Sequence, residues 1–142
     1  MKPLIAVMLA FLLSACSKSN PTGPSQGNDT TNVSFSSQVQ PILTANCALP
    51  ACHAGPITSP VAIHEILLPD SAYANIVDVR SEEKPQYYRV MPFFSDSSYL
   101  YMKITGDSRI SPYARMPFGK APLPSSDINV IKAWIDQGAK TN

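Results

Sequence analysis

Histidine is nearly absent from this chain: His53 and His64 are the only two. No serine, histidine and aspartate group as a nucleophilic set, so hydrolase chemistry has no candidate residues. Lysine and arginine form no block and no helix face, and the formal net charge is +1. Lys2 lies in a segment expected to be removed, which leaves the remainder near neutral and gives nucleic-acid binding no electrostatic support. The sequence has no internal repeat and no convincing strand alternation. The apolar run from Leu4 to Leu13 is too short to cross a bilayer as a helix.

Proline, by contrast, is plentiful, with 14 spread through 142 residues. Long uninterrupted helices or strands are therefore few. A domain so interrupted needs a disulfide, a metal or a large cofactor to organise its core.

The N-terminus reads as a secretory signal: Lys2, the apolar run, then small residues. Its end, Leu13-Ser14-Ala15-Cys16, resembles a bacterial lipoprotein signal. The resemblance implies removal of residues 1–15 and lipidation of Cys16. The next stretch is Ser, Thr, Asn, Gly and Pro, so residues 16–32 are expected to form a disordered tether. The folded domain is expected over 33–142. With Cys16 given to lipid, Cys47 and Cys52 remain as a pair.

Within the domain, "FSSQVQPILTANC" puts Phe35, Val39, Ile42 and Leu43 on one helical face, with Pro41 in the first turn. "SAYANIVDV" suggests a short helix with Ser71 as N-cap and Tyr73, Ile76 and Val77 as a stripe. "DSSYLYMKITG" suggests another, capped by Asp96, with Leu100 and Ile104 one turn apart and Gly106 past its end. The clearest helix is "SSDINVIKAWIDQG". Ser125 or Ser126 should cap it, Ile128, Ile131 and Ile135 form a face with Trp134 beside them, and Gly138 stops it. Trp134 should pack on the first helix through Phe35 or Ile42, and Met102 should be core. The expected class is mainly α, with short helices and long loops that wrap something.

"NCALPACHAG", residues 46–55, carries the chemistry. Cys47, Cys52 and His53 follow the order of c-type haem attachment, with four residues between the cysteines where two are usual. On the residues alone, three readings stand: a widened haem site, another metal site, or a disulfide beside a chance histidine.

Together with "ARMP" in a loop before a Trp-bearing terminal helix, this segment resembles the class I cytochrome c fold. It is most similar to the small cytochrome c-like domains of secreted bacterial lipoproteins. The resemblance spans about Phe35 to Ala139. It implies a cytochrome c-like fold around one covalently bound haem c. Cys47 and Cys52 would form thioethers, His53 would be the proximal iron ligand and Met116 the distal one. The four-residue spacer must then bulge, as "ALPA" with its turn-forming Pro50 allows. Two axial ligands leave iron no open position. The implied role is electron transfer between exported redox partners, without enzymatic activity, from a lipid anchor in the bacterial cell envelope, facing the periplasm or in the outer membrane. The thioether of Met116 would favour ferrous iron, and Pro117 would stiffen its loop.

Rival assignments are few. Met91, in "VMPFF", competes with Met116. His64 is a surface residue or an alternative distal ligand. Tyr87, Tyr88 and Arg115 are either surface residues or contacts for haem propionates. Without haem, a Cys47–Cys52 disulfide would staple a binding lipoprotein. Copper on Cys47, Cys52, His53 and Met116 is chemically sensible, whereas zinc lacks a fourth good ligand. With haem but a weak Met116 bond, the protein would be a small-ligand sensor.

Overall fold

The computed structural model describes residues 30–55 and 65–142. The signal segment, Cys16 and His64 lie outside them. The described residues are mainly helical and contain no strand, only three isolated bridges, among them Val77 with Val90 and Arg80 with Tyr88. None of their helices is long and apolar enough to cross a membrane.

The first helix opens on a wide turn. Phe35–Val39 is π-helical and runs directly into α1, Gln40–Asn46. Pro41 explains the widening. It lacks an N–H, and its ring would collide with the carbonyl four residues back in a regular helix. The backbone bonds just before it therefore span five residues: Val39 N–H reaches Ser34 O at 3.3 Å, and Gln40 N–H reaches Phe35 O. Ser34 caps this turn by accepting from Ser37 N–H.

α2 spans Ala72–Ile76 and α3 spans Tyr99–Thr105, with 3₁₀ turns at Ser95–Ser97 and Ser108–Ile110. Ser71 stands at the N-cap of α2, but its hydroxyl turns back to Leu68 O at 3.4 Å instead of capping. Asp96 does not cap α3. It lies within the 3₁₀ turn, and Ser98 takes the N-cap position. The hydroxyl of Ser98 is committed to the preceding loop, donating to Phe94 O and accepting from Met91 N–H at 2.8 Å. Gly106 ends α3 in the left-handed region at φ 74°, where L side chains are disfavoured.

α4 spans Ser125–Asp136. Neither Ser125 nor Ser126 caps it. Ser125 is already helical, and the carbonyl of Pro124, held extended by its ring, accepts from Asp127 and Ile128 N–H instead. Beyond the helix Gly138 turns left-handed, at φ 98°.

The core gathers Val39, Leu43, Ile76, Val90, Ile104, Ile131 and Ile135 around Trp134. Trp134 is fully buried, with its ring centroid 5.1 Å from that of Phe35, which in turn meets Tyr73 edge-on at 5.3 Å. The indole N–H reaches Lys140 O at 2.9 Å. Ser36 N–H and Phe35 N–H bond Asn142, so the start of the first helix is tied to the chain that follows α4. Met102 is buried too, in a smaller cluster with Tyr99 and Ile110.

Candidate functional site

The C-terminus of α1 hands the chain straight to the cysteine segment. Cys47 N–H closes on Leu43 O at 2.8 Å. The four residues between the cysteines then fold into a closed turn. Cys52 N–H bonds Leu49 O, and Cys47 O accepts from both Leu49 and His53 N–H. Pro50 presets the second position of that turn, and Ala51 takes the third at φ 64°. The spacer thus bulges while bringing His53 back beside Cys47.

His53 is held at two points by the segment 65–67. Its Nδ1 donates to Glu65 O at 2.8 Å, and its carbonyl accepts from Leu67 N–H at 2.8 Å. Burial pushes the imidazole pKa down, favouring the neutral ring. With Nδ1 committed to a carbonyl, Nε2 carries the lone pair, as a metal-binding histidine requires. The strap is itself pinned. Asn75 Nδ2 donates to Ile66 O at 2.7 Å, and Gln40 Nε2 donates to Leu67 O at 2.9 Å. Three successive carbonyls therefore accept from three side chains, one on α1, one on α2 and one in the cysteine segment.

Cys47, Cys52, His53 and Met116 all line one cavity of about 440 Å³, a size typical of cofactor sites. Both cysteines carry free thiols. That of Cys47 is buried, and burial pushes its pKa up to about 11. Met116 arrives from the loop after α3, where its N–H bonds Lys103 O at 2.8 Å. Arg115 braces that loop by donating to Met116 O and Lys120 O, its stem lying over Gly106. Leu67, Leu100, Ile104 and Phe118 give the cavity apolar walls. Met91 does not line it.

One end of the cavity is charged in a way the sequence did not suggest. Buried Arg89 reaches Glu65 Oε1 at 3.2 Å, Glu82 Oε1 at 3.4 Å and Asn75 O at 2.7 Å. Buried Lys103 pairs with Glu83 at 2.8 Å, and Tyr99 donates to the same carboxylate oxygen at 2.6 Å. Burial lifts the Glu65 pKa to about 7 against the pull of Arg89. Burial, with the Glu83 bond, raises Tyr99 as well. Tyr87, Tyr88 and Arg115 do not line the cavity. Tyr87 stacks on Tyr99, and the Arg80 guanidinium lies 3.9 Å over the Tyr88 ring. A signal for Lys103 was present in α3, where it stands one turn after apolar, buried Tyr99. For Arg89 and Glu65, which lie in irregular chain, periodicity offered none.

Among the described residues, no three His, Cys, Asp or Glu side chains converge on a point that would hold a metal ion. Cys47, Cys52 and His53 line the cavity without converging on one such point. No family model, curated protein or solved structure matches the chain.

Proposed function

We propose that this chain is a monohaem c-type cytochrome, exported and lipid-anchored at Cys16, that carries electrons between redox partner proteins. The observation that carries the reading is the meeting of Cys47, Cys52, His53 and Met116 at one apolar-walled cavity, with the Nδ1 of His53 already committed. Donors set around a cavity suit one large group bridging them, whereas a bare copper or zinc ion needs them convergent. The residues fit haem c. Cys47 and Cys52 would hold it by thioethers, His53 Nε2 and the Met116 sulfur would ligate its iron, and Arg89 and Lys103 would face its carboxylates. The reading carries with it a cytochrome c-like fold, with short helices and loops around the group.

Haem supplies reversible one-electron chemistry at iron. The chain's own part is to keep the His53 and Met116 side chains in place. His53 is fixed by the 65–67 strap, and Met116 by Lys103 O and Arg115. With His53 and Met116 both given to the iron, the protein would pass electrons without bond chemistry.

The test is an absorption spectrum, oxidised and reduced, of the protein exported from a host with c-type haem maturation, beside a denaturing gel stained for haem. A sharp reduced α-band, haem retained on the denatured chain and the weak ferric band of methionine ligation are expected. A colourless chain, from cells that mature a control cytochrome, would refute the reading and favour the stapled binder. Covalent haem without the methionine band would favour the small-ligand sensor.

A further inference from the structure

Two large apolar side chains stand together on the surface away from the cavity: Phe93, 64% exposed, and Phe94, 55% exposed. Phe93 adopts φ 71°, a left-handed conformation costly for a bulky residue. It is held there by its N–H on Ile135 O at 2.8 Å and by its ring, which lies where a side chain at Gly138 would sit. The fold thus fixes an aromatic pair outward at the end of α4.

The chain leading back to Cys16 enters the domain at the same end. Gln137, next to Gly138, donates to Thr30 O and accepts from Val33 N–H. Thr30 and Asp136 line one shallow hollow, and Asp136 accepts from Ser95 N–H, one residue after Phe94. Cys16 precedes Thr30 by 14 residues, a covalent reach of at most about 50 Å. A lipid on Cys16 would therefore hold this end of the domain near the bilayer. Such a short link gives an effective concentration on the order of millimolar, so a small patch suffices to dock.

We infer that Phe93 and Phe94 form a bilayer-contacting surface, the domain resting on the membrane that anchors it. This rests on the lipoprotein part of the proposed function. Phe93, Phe94, Gln137 and Gly138 are not among the residues lining the cavity. Docking through them leaves exposed Cys52 and Phe118, at the cavity, open to a protein partner.

The test uses the full exported chain reconstituted in vesicles of phosphatidylethanolamine and phosphatidylglycerol, with or without lipids brominated near the headgroup. Phe94→Trp introduces a reporter. Phe118→Trp, at a site 73% exposed beside the cavity, is the control. Native Trp134 is fully buried and contributes a constant background. The expected result is loss of Phe94→Trp emission on brominated relative to plain vesicles, with no loss for Phe118→Trp. Equal loss in both variants, or loss in neither, overturns the surface. A mass spectrum of the same sample separates the premise from the proposal. A chain without acyl mass removes the anchor, and the proposal falls with it. An acylated chain without selective quenching overturns the surface alone.

Discussion

Asn75→Ala tests whether the strap behind His53 is held by side chains, as its hydrogen bonds indicate. The substitution removes the 2.7 Å bond from Nδ2 to Ile66 O and leaves that carbonyl unpartnered. A stranded carbonyl of this kind costs about 1–3 kcal/mol. Asn75 lies within α2, so alanine returns about 0.5 kcal/mol of helix propensity. The net loss is about 0.5–2.5 kcal/mol. Asn46→Ala is the matched control. Asn46 Nδ2 also donates to a carbonyl, Ile42 O at 2.9 Å, but that carbonyl lies inside α1, where a main-chain N–H four residues on takes it. Its loss should be about 0.5 kcal/mol, nearly cancelled by the propensity gain. Urea unfolding of the two variants reads the difference as a lower midpoint for Asn75→Ala at unchanged slope. In haem-loaded protein, Asn75→Ala should also raise the reduction potential. A looser Glu65 carbonyl takes less of the Nδ1 proton, so the imidazole donates less to ferric iron. Equal midpoints for the two variants would refute the strap as a side-chain device.

Met116→Leu should abolish the ferric methionine band while leaving haem covalently bound, whereas Met91→Leu should leave the spectrum unchanged. The reverse pattern would hand the ligand role to Met91. Trp134→Ala should cost about 3–5 kcal/mol, a large share of an ordinary margin of about 5–15 kcal/mol; a lower urea midpoint reports the loss. Asp136→Asn should flatten part of the acid limb of stability. Burial pushes the Asp136 carboxyl up, but hydrogen bonds from Lys132 and Ser95 outweigh it, and the net pKa is lowered. A lowered folded pKa means that Asp136 adds stability above its unfolded value, about 3.9, and loses it as pH falls through the folded one. The difference in stability between wild type and variant should therefore shrink on acidification below pH ~4.

Periodicity located the helices well because their buried faces are aliphatic. Ile131, Trp134 and Ile135 in α4, and Val39 and Leu43 near α1, are all among the most buried residues. It located their starts poorly. Asp96 and Ser125 are good caps by type, but neighbouring geometry decided: Ser98 anchors the loop before α3, and Pro124 supplies α4 with a preset extended residue. The cysteine segment was legible as chemistry, since Cys47, Cys52 and His53 sit in one short stretch. The placing of Met116 rather than Met91 at the cavity was not fixed by the shared Met-Pro pattern. It depends on the Met116 N–H meeting Lys103 O, a contact between α3 and a later loop.

The least legible feature is the most informative about the cavity. Arg89 and Lys103 are both buried, each paired with a glutamate, in a domain whose charges otherwise lie mostly at the surface. Buried ion pairs seldom repay their desolvation, and apolar residues of the same size commonly serve stability as well or better. A small domain with a modest core has little margin for that cost. Both pairs line the same cavity, at the end where Tyr99 also points its hydroxyl to Glu83. If stability alone had placed them, Lys103→Met together with Glu83→Gln should leave the fold intact and haem retention unaffected. If Lys103 faces a carboxylate of the proposed haem, Lys103→Met alone should keep the thioether-bound group yet lower its potential, because losing a cation near the iron favours the ferric state. Lys103 would then act on the electron's energy rather than on folding, which is the kind of role that retains buried charge in a carrier.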